Sequence, residues 1–219
     1  MKKILYLLVL MLLGVFPVFT QHKLNLADEN IFSIGQFVIR HRPVVYSEHI
    51  NEFRTALMVG RTLRGMQKNQ SVTTYVYWKH STSNAQHLGF RVDIDQTFFE
   101  NKLFTRLQTR VFWGLSEDND REYFIIPAIN YKVGPLRLGP WGMFIYKKKE
   151  RELEGGKLKL PLKTAYLGPS MILPFSKNAG VFIAYVVNLK HKAKNQFGSN
   201  AYLLHTVFFT RFQLKRKRR

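Results

Sequence analysis

Hydrophobic and polar positions alternate twice over in residues 87–115, HLGFRVDIDQTFFENKLFTRLQTRVFWGL. Leu88, Phe90, Val92 and Ile94 interleave with Arg91, Asp93 and Asp95. After Glu100-Asn101-Lys102 the rhythm resumes, with Leu103, Thr105, Leu107, Thr109, Val111, Trp113 and Leu115 interleaving with Arg106, Gln108 and Arg110. Successive side chains on a strand point to opposite faces, so a period of two predicts two strands, and the polar break between them a hairpin turn. The apolar face can pack on a soluble core or on lipid.

The same reading along the chain predicts ten strands, near 31–40, 53–63, 71–79, 87–98, 103–115, 122–133, 135–147, 158–172, 180–190 and 201–214. No amphipathic helix of ten residues or more is predicted. Many of these segments have the length of a tilted strand crossing a bilayer and exceed the usual soluble strand. The connections alternate in length. Turns at Glu100-Asn101-Lys102, Gly134 and Ser176-Lys177-Asn178-Ala179 are tight. Those after the first, third, fifth, seventh and ninth strands are longer and polar, among them HSTSNAQ, SEDNDR, KKERELEGG and HKAKNQFGSN. RGMQKNQS, after the second, is intermediate. Short turns on one rim and long loops on the other are the plan of a bacterial outer-membrane barrel. The expected fold is therefore all-β, a single antiparallel up-and-down transmembrane β-barrel of about ten strands, with eight to twelve compatible with the pattern. An even count places both termini on the short-turn, periplasmic rim.

Several predicted faces are continuously apolar: Tyr123, Ile125, Ile129, Tyr131 and Val133; Val181, Ile183, Tyr185, Val187 and Leu189; and Tyr202, Leu204, Phe208, Phe212 and Leu214. The 18 Phe and 10 Tyr suit an outward face with aromatic girdles. Pro127, Pro161 and Pro169 interrupt predicted strands, because proline brings no N–H to a ladder. LGPWGMF at 138–144 is expected to bend or bulge.

The N-terminus turns this pattern towards export. Lys2 and Lys3 precede an apolar run from Ile4 to Phe16, and Val18 and Thr20 occupy the −3 and −1 positions before Gln21. That is the layout of a secretory signal peptide over 1–20, and the run is short for a membrane-spanning helix. Cysteine is absent, which excludes a disulfide framework and a lipid-modified N-terminal cysteine. One domain is expected over 21–214, followed by the basic tail KRKRR at 215–219. Net charge is +20. In an exported chain without a nucleic-acid-binding motif, the partners this implies are outer-membrane lipid and lipopolysaccharide phosphates, or anionic glycans, and no nucleic acid.

If the apolar face meets lipid, the alternate residues point into a narrow lumen, where charges persist by pairing. Arg91, Asp93, Asp95, Arg106 and Arg110 are expected to form an Arg–carboxylate lattice there. Arg137, Lys163, Lys190 and Arg211 add inward positive charge with few acids to match. The lattice can simply fill and stiffen the barrel, or the positive surplus can favour anions. The stretch FRVDIDQTFFENKLFTRLQTRVFW, together with Gln21 directly after the leader, resembles small outer-membrane barrels of Bacteroidota-type bacteria, a family of unknown function. That resemblance implies the location and the fold, and no reaction.

Candidate chemistry is sparse. The seven His show no metal-ligand spacing, and no cofactor motif is present. His80, Ser81, Ser83 and Asn84 in KHSTSNAQH are similar to the His-x-Ser-Asn-Ala run of lipid A 3-O-deacylase barrels, with one extra residue, and are expected in an exposed loop. Asp93 and Asp95 have arginine neighbours that keep both ionised, which disfavours an acid–base pair. The expected function is thus not enzymatic: an outer-membrane barrel, structural or a narrow anion-preferring pore with a charged, largely filled lumen. The alternatives are a soluble periplasmic β-sandwich or open barrel binding lipid or anionic glycan and, at a further remove, a lipid A ester hydrolase.

Overall fold

The computed structural model describes residues 23–46, 49–64, 69–81, 86–115, 121–148, 162–190 and 202–214. The leader at 1–20, Pro161, Ser83, Asn84 and the tail at 215–219 lie outside them. Eleven strands account for nearly all the described chain: β1 Lys23–Ile34, β2 Phe37–Tyr46, β3 His49–Arg64, β4 Gln70–Ser81, β5 Gln86–Phe98, β6 Leu103–Gly114, β7 Arg121–Val133, β8 Leu136–Lys148, β9 Leu162–Pro174, β10 Ala179–Asn188 and β11 Tyr202–Leu214. Each pairs antiparallel with its neighbours in sequence, and β1 closes the barrel against β11. The sheet is single and closed, not a two-layered sandwich or an open barrel.

Eleven strands fall within the expected eight to twelve, one more than the ten segments read from the pattern. The segment read as one strand at 31–40 straddles a turn, because Gly35 adopts φ 61° and lets the chain reverse between β1 and β2. Residues expected to form a long loop after it, from 41 onward, instead complete β2 and begin β3. An odd number of strands in a meander makes the first and last run the same way. The closing pair β1–β11 is accordingly parallel, in register from Lys23↔Leu203 to Ile34↔Leu214. It also separates the ends: Lys23 starts at the long-loop rim, and Leu214 finishes at the short-turn rim with Gly35, Asn101, Gly134 and Lys177. The expectation that both termini share one rim is overturned.

The prolines are absorbed by local loss of pairing. Between β7 and β8 the register skips from Ile125↔Phe144 to Ala128↔Trp141, passing over Pro127. Pro140 and Pro169 face each other between β8 and β9. The LGPWGMF run does not bulge against β9, where its register is continuous through Phe144; it loses its partners on the β7 side instead.

Alternation assigns the two faces. Phe90 on β5, Val76 on β4, Ile129 on β7, Val187 on β10 and Phe208 on β11 point outward and are exposed, as are apolar residues on all the other strands. Monomeric soluble proteins rarely expose contiguous apolar surface on this scale. Phe32 and Phe212 stack across the closing seam with ring centroids 4.8 Å apart.

Inside, the barrel is unevenly filled. Roughly eight strands give an interior that side chains fill, while sixteen or more leave a channel, so eleven falls between. One half is packed by Val38, Ala56, Met58, Tyr75, Tyr77 and Phe112. A second cluster packs on β7–β11, and open space lined by residues of all eleven strands remains between the two.

Candidate functional site

The lumen concentrates buried charge. Its centre is Asp93 on β5, 1% exposed. Arg91, two residues before it on the same face, donates from Nε and Nη2 to its two carboxylate oxygens, each at 2.7 Å. Gln108 Nε2, on β6 directly opposite in register, donates to Asp93 Oδ1 at 2.7 Å. Arg40 of β2 approaches from across the lumen, its Nη2 3.6 Å from Asp93 Oδ2. Glu29 of β1 completes the tie, 3.5 Å from Arg40 and 3.6 Å from Arg91. Four buried charges thus alternate in sign across the barrel, which is how ionised groups remain tolerable away from water. Arg40 and Arg91 also lie over the ring of Tyr75, at 4.9 and 5.3 Å from its centroid.

Arg106 pairs with Asp95 at 2.6 and 2.8 Å, as its cross-strand register allows. Arg110, expected in the same lattice, meets no carboxylate among the described residues. It donates to Gln108 Oε1, because both acids of β5 are taken by Arg91 and Arg106. Arg137, Lys163 and Arg211 line the lumen as expected. Arg137 and Arg106 both sit over Phe104, at 5.2 and 5.3 Å, and Arg211 sits over Phe209. Lys190 is a correction: it lies in the exposed turn after β10, where its Nζ donates to the Leu162 carbonyl. His80 and Ser81 end β4 and are not part of a loop; the His80 ring stacks on the outward Trp78.

Glu29, Arg40 and Arg42 were missed as lumen residues. The alternation of Val38, Arg40, Arg42 and Val44 with Ile39, His41, Pro43 and Val45 carried the signal for β2. A single strand over 31–40 hides it, because the turn at Gly35 falls inside that segment. Arg42 reaches past β1 to His205 of β11, 3.2 Å between Nη2 and Nε2.

Beside the tie runs a cavity of about 970 Å³. Its lining spans both rims, from Arg54, Lys79 and Lys163 at the long-loop end to Lys132, Arg137, Lys177 and Arg211 at the short-turn end. Among the described residues it is lined by twelve basic side chains and three carboxylates, those of Glu29, Asp95 and Glu122. The lumen is therefore charged and basic, and it retains an open cavity where a largely filled interior was expected. Its far wall, on β7–β11, carries an apolar patch of Ile126, Trp141, Met143, Phe182, Leu203 and Val207 between the basic residues of the two rims. No family model matches the chain, and no curated protein or solved structure is significantly similar to it.

Proposed function

We propose that the protein is an outer-membrane β-barrel whose lumen is a narrow passage preferring anions. The observation that carries this reading is the cavity that reaches both rims with twelve basic residues against three acids. Low-dielectric walls focus the field of such a lining, which attracts small anions and repels cations. The belt of outward apolar residues supports placement in a bilayer, where a closed barrel leaves no free strand edge. The leader-like N-terminus supports export, and lipopolysaccharide is the anionic neighbour the basic rims would meet. On the usual plan the short turns face the periplasm. The Arg91–Asp93–Glu29–Arg40 tie narrows the passage by holding one half of the lumen shut.

The test is fractionation followed by electrical recording. The protein should be recovered with outer membranes, need detergent for extraction and migrate differently on gels when unboiled. In a planar bilayer under a potassium chloride gradient, its reversal potential should take the sign for chloride. Recovery as a soluble periplasmic protein, or a cation-selective current, would remove the proposal.

A further inference from the structure

An ion passage gains nothing from an apolar wall, since barrel interiors that hold water are lined by polar side chains. Here one side of the cavity carries an apolar patch midway between the rims that includes Trp141 and Phe182, 5.9 Å between ring centroids. His205 joins the two walls: it stacks on Trp141 at 5.5 Å and bonds Arg42 at 3.2 Å. On the charged side, neither Arg42 nor Arg110 is ion-paired with a carboxylate among the described residues. Arg110 faces Arg91 and Arg42 as like charges, with Asp93 as the nearby opposing charge, and its own hydrogen-bond partner, Gln108, is neutral. Arg42 Nε is buried without a hydrogen-bond partner. Two like charges with spare donors thus sit beside an aromatic and aliphatic surface in one cavity.

We infer that this cavity is a binding site for a single-chain amphiphile with an anionic head, a carboxylate or a phosphate monoester. The head is held by Arg42 and Arg110, and the chain lies on the Trp141–Phe182 wall. A guanidinium binds carboxylate and phosphate oxygens through directed, charge-assisted hydrogen bonds, so the head supplies the directly bonded anion that neither arginine has among the described residues. The chain covers apolar surface that water would otherwise wet. A volume of about 970 Å³ lies at the upper end for ligand pockets and accommodates such a chain. This inference rests on the anion-preferring lumen proposed above and names what that lumen selects.

Trp141 reports on it directly. The chain has three tryptophans, and Trp78 and Trp113 lie off the cavity. The full chain carrying Trp78→Phe and Trp113→Phe, folded in detergent and checked by its unboiled gel migration, leaves Trp141 as sole reporter. It is titrated with 11-bromoundecanoate at mildly alkaline pH, with 11-bromo-1-undecanol as the uncharged control and bromoacetate as the head without a chain. The acid should quench Trp141 saturably, at a half-saturating concentration about tenfold or more below that of the alcohol, the ratio expected for a hydrogen bond to a charged group. Bromoacetate should not quench at the same concentrations. Arg42→Gln and Arg110→Gln should each shrink the acid–alcohol difference, while Arg42→Lys retains part of it. Displacement by dodecanoate against dodecyl phosphate then separates the two head groups. Equal quenching by acid and alcohol, equal quenching by bromoacetate, or quenching without saturation would each overturn the inference. The reversal potential of the same preparation keeps the two proposals apart. Chloride selectivity without saturable quenching removes the amphiphile site alone, and saturable quenching without chloride selectivity removes the passage.

Discussion

Arg91 and Asp93, two residues apart on the inner face of β5, close a two-pronged ion pair with both contacts at 2.7 Å. Both are almost fully buried, and Arg40, Glu29 and Gln108 all bear on them. Asp93 is therefore the point at which three strands are tied together across the lumen. Replacing it with Leu leaves Arg91 and Arg40 facing each other with Glu29 as their remaining acid. Asp93→Leu should lower stability by about 3–5 kcal/mol, the usual cost of breaking a buried pair from one side. Urea unfolding in lipid vesicles measures it. The variant should still insert, and Asp93→Asn should lose less because its amide oxygen still accepts from Arg91. An unaltered midpoint for Asp93→Leu would show that the tie does not hold the barrel.

The neighbouring outward position responds by a different route. Phe90 is 54% exposed and meets Trp113 edge-on at 5.8 Å. Phe90→Lys places a charge on the lipid side, at a cost of about 2–4 kcal/mol near the bilayer midplane. Insertion into vesicles should slow as well as stability fall, whereas the same variant in a mild detergent should lose less. Equal behaviour in both would argue against a lipid-facing β5.

Close approach explains Gly89. A Cβ added there would overlap the Val111 carbonyl and come within 2.8 Å of Phe112 Cδ1, whose ring lies across the glycine. Gly89→Val should therefore force β5 and β6 apart and cost about 1–3 kcal/mol as an overpacked site. Phe112→Leu should partly relieve it. A double-mutant cycle by chemical unfolding reads the coupling, and strict additivity would remove the explanation.

The odd strand count makes a topological prediction that needs no energies. Since the chain has no cysteine, single-cysteine labelling is clean. Cysteines at Asn101, Lys177 and Gln213 should react from one side of the membrane and one at Lys190 from the other. If the proposed orientation holds, the Lys190 position labels on intact cells. A Gln213 cysteine labelled from the same side as Lys190 would refute the parallel closure of β1 on β11.

Strands and their faces were legible in the chain wherever alternation ran unbroken. In 87–115 each assigned face holds: Phe90 and Leu107 point outward, and Arg91, Asp93 and Gln108 point inward. The reason is local, because Cβ direction on a strand depends only on residue parity. β1 escaped because Asp28 and Asn30 take outward positions, where Asn30 bonds Asp28 at 3.1 Å and interrupts the apolar stripe. An extra strand at this end turns an even count into an odd one, and with it sets the rim at which β1 begins. Partnership in the lumen was beyond local reading. Arg42 meets His205 across 163 residues of sequence, and Glu29 meets Arg91 on another wall. Which arginine finds a carboxylate and which is left facing the cavity depends on barrel closure and strand register, for these bring residues distant in sequence within hydrogen-bonding range. Alternation fixed the direction of each side chain. Closure chose what it meets.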